Sequence, residues 1–112
     1  MNIEQKKRLL DASAACSAIK GFTKGIKFED YASSLLIRSA VERQIEILGE
    51  ALKQASAADA SLEIQIPELR RIVGMRNRII HGYDSVDDEI VWDAVKHHIP
   101  ALLSALRKLR QD

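Results

Sequence analysis

The sequence is poor in the residues that cross-link a chain or interrupt helices. Its only cysteine, Cys16, excludes an intrachain disulfide and favours a reducing compartment. Two prolines and five glycines in 112 residues leave few positions that would break a helix. Aromatic residues make up 4% of the chain and hydrophobic residues 46%, so the core must be largely aliphatic. This composition favours helices over a β-sandwich or a β-barrel.

The chain also lacks a large net charge and a long apolar run. Seventeen basic and 16 acidic residues give a formal charge of +1, so contact with nucleic acid must depend on a local patch. No apolar stretch is long enough to cross a bilayer or resembles a signal peptide. These features predict a cytoplasmic protein, without membrane contact, that forms one domain over residues 1–112.

Apolar residues recur at helical spacing in four segments. The predicted helices cover approximately residues 3–19, 29–56, 67–80 and 85–109. Gly21 and Gly82 are predicted to end the first and third helices. Short connections between four helices of this length predict an all-α fold, an antiparallel up-and-down four-helix bundle.

Local signals refine the ends of these helices. The segment SAADASLEIQIPEL is the one loop-like region, and Pro67 suits the first turn of the third helix. Ser85 and Asp88 have the spacing of a capping box for the fourth helix. Pro100 is predicted to kink that helix because it lacks a backbone N–H.

The segment GMRNRIIHGY places basic side chains where the chain should be building core. With roughly 100° per residue, Arg76 lies in the middle of the apolar stripe of the third helix. One interpretation is a buried structural arginine bonded to Glu46 or Glu50 of the second helix. The other is a fixed cation that lines a cleft and binds an anion.

His81 lies beside this stripe, at the border between core and solvent. A single histidine at a helix end is ordinarily a favourable C-terminal charge. Arg78 points away from the stripe, and no acidic residue occurs between Leu69 and Tyr83. The third helix is therefore a local basic strip in a nearly neutral chain.

The same residues carry a family resemblance. Arg76, His81 and Tyr83 match the R-x4-H-x-Y pattern of the HEPN superfamily, and Asn77 follows the arginine as in its HepT-like branch. The segments AVERQIEILGEALK and VDDEIVWDAV resemble the family's second and last helices. The resemblance extends from about residue 9 to about residue 106, with one departure at Leu69, where relatives often carry a bulky aromatic.

This resemblance implies a HEPN-like helical fold, a homodimer and a metal-independent endoribonuclease. HepT-like proteins are the toxins of type VII-like toxin–antitoxin pairs, so a cognate minimal nucleotidyltransferase antitoxin is the implied partner. The antitoxin would transfer AMP from ATP to the hydroxyl of Tyr83 and form a larger hetero-oligomer with the toxin. No cofactor and no metal is implied.

Chemical reasoning supports the same assignment. Cleavage of RNA by its own 2′-OH requires a base, an acid and cations for the charge that develops on phosphorus. His81 can transfer a proton near neutral pH, and Arg76 can bind a phosphate oxygen. Asn77 and Arg78 are the predicted supporting contacts to RNA phosphate. Because one copy supplies too few groups, we expect a two-fold axis beside the third helix.

Other interpretations remain open. A HEPN module that binds nucleotide or RNA without catalysis, or a dimeric adaptor, is the alternative function. A metal site is poorly supported, because adjacent His97 and His98 face different directions on a helix. His98 lies on the apolar face of the last helix and is predicted to be a core or interface residue. Arg43 and Glu50, seven residues apart, are predicted to form a structural pair.

Overall fold

A computed structural model describes residues 2–82 and 86–111, and all regular secondary structure within these ranges is helical. The helices are α1 (Ile3–Thr23), α2 (Phe28–Ser33), α3 (Leu35–Ala58), α4 (Leu62–Gln65), α5 (Leu69–His81), α6 (Asp88–Asp93) and α7 (Ile99–Gln111), with a π-helical turn (Ala94–His98) between α6 and α7. The predicted all-α bundle is confirmed. Its homodimeric state stays a prediction.

Side-chain caps determine where the first two long helices begin. Asn2 and Gln5 form a reciprocal capping box at α1, with the Gln5 backbone N–H donating to Asn2 Oδ1 over 2.8 Å. The Oγ of Ser34 accepts a hydrogen bond from the backbone of Ile37 and caps α3. The prediction of one helix over 29–56 was wrong in this respect, because the chain breaks at Ser34 into α2 and α3.

The region around the predicted loop also differs in detail. It contains the short helix α4, and α5 begins at Leu69 rather than at Pro67. Gly82 ends α5 as predicted, but in a right-handed conformation (φ −84°), with its N–H donating to the Arg78 carbonyl. α1 continues past Gly21 to Thr23, and the backbone turns at Gly25, which has a φ of 74°.

The last helical segment accommodates its proline through a π-helical turn. Asp87 caps α6 by accepting from the N–H groups of Glu89 and Ile90, so the helix starts later than the predicted Ser85 cap, which lies outside the described residues. The Ile99 N–H donates to the Ala94 carbonyl five residues earlier. Such a turn moves aside the carbonyl that a proline ring would otherwise meet four residues before it. The prediction of a simple kink at Pro100 was therefore incomplete.

α3 is the central helix, since it packs against both α1 and α5. α7 covers the other side of α1. Fully buried aliphatic side chains of the four long segments form the core: Leu9, Ile19, Ile45, Leu48, Leu52, Ile72, Ile99, Leu102 and Leu106. Cys16 is buried among them, and its burial raises the pKa of the thiol to about 12. None of the described helices has the length and apolar character needed to cross a membrane.

Candidate active site

Arg76 belongs to α5, and its side chain lies in the contact with α3, where only 17% of it is exposed. Its Nη2 donates to Glu50 Oε2 over 2.8 Å, and its Nη1 donates to Asn77 Oδ1 over 2.9 Å. Its Nε is buried and has no acceptor among the described residues. Of the two carboxylates predicted to bind Arg76, Glu50 is the partner, while Glu46 pairs elsewhere.

Gly49 makes this placement of Arg76 possible. A Cβ atom at Gly49 would lie 2.4 Å from the Cβ and 2.7 Å from the Cγ of Arg76, far inside normal contact distance. The absence of a side chain thus lets α3 and α5 approach at the arginine. Sequence reasoning missed this role, although a glycine inside an amphipathic helix indicates close backbone approach.

The carboxylate of Glu50 is held in the orientation that binds Arg76. Gln54 Nε2 donates to Glu50 Oε1 over 2.9 Å. This hydrogen bond, followed by the Arg76 guanidinium, lowers the pKa of Glu50 below its usual value despite partial desolvation. The predicted Arg43–Glu50 pair was wrong, since Arg43 binds Glu46 at 3.0 Å instead.

His81 and Arg78 occupy the exposed last turn of α5. Neither side chain has a hydrogen bond or ion pair with the part of the chain that the structure describes. His81 follows Arg76 by five residues, which corresponds to about 140° around the helix and about 7.5 Å along it. The two predicted catalytic side chains therefore leave α5 in different directions within one copy. Tyr83, the predicted acceptor of AMP, lies outside the described residues.

His98 links the π-helical turn to the start of α5. Its Nδ1 lies 2.8 Å from Glu68 Oε2, its Nε2 lies 3.4 Å from Asp93 Oδ2, and 20% of its side chain is exposed. The position agrees with the predicted core or interface histidine. Across residues 2–82 and 86–111, no group of three or more His, Cys, Asp or Glu residues has an arrangement that could hold a metal ion.

Three apolar side chains lie on the same sides of α3 and α5 as Glu50 and Arg76. Leu36 and Ile47 lie on the same side of α3 as Glu50, within about 60° of each other. Leu36 is 80% exposed and Ile47 is partly buried. Ile80 follows Arg76 by one turn of α5 and is 40% exposed. We call these five residues the α3–α5 face: Leu36, Ile47, Glu50, Arg76 and Ile80.

Comparisons with known proteins give one consistent family. The profile of the ribonuclease HepT-like family matches residues 12–109. A protein of Thermococcus cleftensis named "Probable ribonuclease HepT" is 37% identical over 111 residues, which cover 99% of this chain and 100% of that protein. A candidate RNase of Methanocaldococcus jannaschii is 33% identical over 84% of this chain and 77% of its own. A candidate RNase of Caldanaerobacter subterraneus is 31% identical over 86% of this chain and 85% of its own. No solved structure matches the chain.

Proposed function

The chain belongs to the ribonuclease HepT-like family, and from this premise we propose that it is a cytoplasmic, metal-independent endoribonuclease with a composite site at a dimer interface. Family membership confirms the HepT-like resemblance and the predicted enzyme class at the level of a ribonuclease. The remaining features of the proposal rest on the arrangement of α3 and α5. The position of Arg76 is the observation that carries it.

Stability alone is a poor reason for Arg76 to occupy this position. Replacing a buried ion pair by apolar side chains of similar volume is often neutral or stabilising. Here the guanidinium also leaves its buried Nε without an acceptor in the described part of the chain, and Gly49 weakens α3 to make room for Arg76. A function that needs a fixed cation explains the ion pair, the buried Nε and the glycine opposite the arginine. In our proposal Arg76 binds a non-bridging oxygen of the scissile phosphate.

His81 supplies proton transfer. Its imidazole is exposed at the end of α5, where RNA can reach it, and a histidine can act as acid or base near neutral pH. A general base takes the proton of the 2′-OH while its oxygen bonds to phosphorus, the bond from phosphorus to the 5′-oxygen breaks, and a general acid gives the leaving oxygen a proton. The His81 side chains of the two copies fill these two roles. The product is a 2′,3′-cyclic phosphate. Arg78, exposed on the same turn, and Asn77, which orients Arg76, are the proposed supporting phosphate contacts.

Cleavage in excess EDTA tests this mechanism. Purified protein should cut RNA with no divalent ion present, and the new ends should carry a 2′,3′-cyclic phosphate or the 3′-phosphate formed from it. Strict dependence on a divalent ion, or 3′-hydroxyl ends, would contradict the mechanism.

A second copy completes the site. Arg76 and His81 diverge within one chain, and a two-fold axis beside α5 would bring the partner's equivalents into the same cleft. Exposed Leu36 and Ile80 support the α3–α5 face as the surface covered by that copy.

Charge substitution on this surface tests the dimer. Ile80→Glu should shift sedimentation equilibrium from dimer to monomer at micromolar concentration and remove cleavage. Ile64→Glu is the matched control, because Ile64 is 84% exposed on α4, outside the α3–α5 face, and should change neither property. A wild-type monomer that cleaves RNA would contradict the composite site.

We further propose that a minimal nucleotidyltransferase antitoxin inhibits this enzyme by transferring AMP to Tyr83. The family resemblance of the motif is the main support. Tyr83 also follows the basic end of α5 by two residues, so a phosphate attached there would occupy cations that otherwise bind RNA. Co-expression with such a transferase should add one or more AMP masses and suppress cleavage. Unchanged modification of Tyr83→Phe, measured by intact-mass spectrometry, would exclude Tyr83 as the acceptor.

A HEPN module that binds RNA or nucleotide without cleaving it is the second candidate. The Arg76–Glu50 ion pair favours it over the nuclease, because a guanidinium that already donates to a carboxylate has fewer N–H groups left for the charge that develops on a scissile phosphate. The two functions separate in one assay. A binding module retains labelled RNA at full length in every condition, whereas the nuclease converts it to fragments.

A further inference from the structure

A groove of about 460 Å³ lies between α5 and α6, on a different side of α5 from Arg76. Arg71 and Arg78 stand at its edge, two helical turns and about 10 Å apart along α5. Met75 and Ile90 form apolar parts of its wall, and Ile90 is 45% exposed. A single groove thus combines two cations with an apolar surface between them.

The charges around the groove favour an anion. Arg78 has no side-chain partner among the described residues, and Arg71 is only loosely paired, with its Nε 3.7 Å from Glu68. Arg70 also lines the groove, although it is held at 3.0 Å by a carboxylate of α4. Asp93 is the one acidic residue of the lining. Arg78 and the loosely held Arg71 therefore remain open to a polyanion, whereas the charge of Arg70 is already balanced by its carboxylate partner.

Gly74 gives an independent indication that something enters this groove. It is exposed in the middle of α5, and a Cβ added to it would meet no atom within 4 Å. Glycine weakens a helix interior relative to alanine, yet no contact within the described chain requires it here. An absent side chain at a groove floor allows close approach of a ligand. Gly74 also lies within about 20° of His81 on the helix, so the groove continues from the exposed histidine.

We propose that this groove binds one nucleotide of single-stranded RNA adjacent to the cleavage position. Arg71 and Arg78 bind the flanking phosphates, and the base packs on exposed Ile90 and on the small accessible part of Met75, as apolar and aromatic side chains hold unstacked bases. The proposal rests on the proposed ribonuclease function, since it extends that site along the substrate.

Equilibrium binding to a labelled 2′-O-methyl oligonucleotide tests the groove without cleavage, because this strand lacks the attacking hydroxyl. Gly74→Leu fills the floor and should weaken binding by about tenfold or more, in line with loss of one packed base. Arg71→Ala and Arg78→Ala should each reduce the slope of log affinity against log salt by about 0.7, the value for one phosphate contact on a single strand. Gly21→Leu is the matched control, because Gly21 is also an exposed helical glycine without neighbours, on α1. It should bind as wild type does.

Three outcomes would overturn the proposal. The first is wild-type affinity of Gly74→Leu, and the second is a wild-type salt slope in both arginine variants. The third is loss of the dimer by Gly74→Leu in sedimentation, which would make the groove an interface between copies. If Gly74→Leu does not fold, Arg71→Ala and Arg78→Ala still test the proposal through the salt slope, because both side chains are exposed and their loss should not affect folding. Wild-type protein could bind the oligonucleotide through the groove and yet cleave no RNA. This result would support the proposed nucleotide site and contradict only the proposed nuclease activity.

Discussion

Replacing Gly49 by alanine would put a methyl group into the contact between α3 and α5. The new Cβ would lie 2.4 Å from the Cβ of Arg76, whereas carbon atoms normally pack at about 3.5–4.0 Å, so the helices must separate by about 1 Å. The obstructing atom belongs to the root of the arginine and cannot rotate away. Overpacking of this kind costs about 1–3 kcal/mol, and the better helix propensity of alanine returns about 0.5–1 kcal/mol. We expect a net destabilisation of about 0–2.5 kcal/mol.

Urea denaturation at a fixed protein concentration measures this change, and Gly74→Ala provides the matched control. A Cβ at Gly74 meets nothing, so the same substitution there should stabilise the protein by about 0.5–1 kcal/mol. Gly49→Ala should also slow RNA cleavage, because the added methyl group displaces Arg76, the side chain proposed to bind the scissile phosphate. If Gly49→Ala were as stable as Gly74→Ala, the close approach of α3 and α5 would be refuted.

Three further substitutions test the surroundings of the site. Arg76→Ala should remain folded, because Glu50 is 41% exposed and water can solvate its carboxylate. The variant should nevertheless lose RNA cleavage. An unfolded variant in circular dichroism would favour a purely structural arginine. Glu50→Gln should make the free energy of unfolding less sensitive to acid. The pKa of Glu50 is lowered in the folded state, so the ionised carboxylate stabilises the fold above the ordinary glutamate pKa of 4.5. This contribution disappears as the pH falls through the folded-state pKa. Denaturation curves on both sides of that pH check the difference. His98→Gln should lower the free energy of unfolding by at most about 1 kcal/mol through loss of the contact with Glu68, without changing the cleavage chemistry.

The helices of this fold were predictable because their apolar residues recur with the helical period. The same periodicity placed Arg76 inside the apolar stripe and offered Glu50 as one partner, as found. Periodicity does not report local backbone breaks. Ser34 caps α3 with its side chain, and the π-helical turn before Pro100 depends on how the last helix packs, so neither was anticipated.

The details of the candidate site depend on contacts between helices that the sequence does not specify. Glu50 had two possible cationic partners, and only the packing of α3 on α5 selects Arg76 over Arg43. Gly49 is one of three helical glycines, and the structure alone separates it from Gly21 and Gly74, which have open space around them.

The most direct test of the account compares RNA cleavage by wild-type protein and His81→Ala in excess EDTA. His81 is exposed and has no side-chain partner among the described residues, so the substitution should leave the melting temperature unchanged. The account predicts that wild type cleaves RNA and that the variant is slower by about 10²-fold or more, the usual effect of losing a general acid or base. Equal cleavage by a folded His81→Ala variant would contradict it.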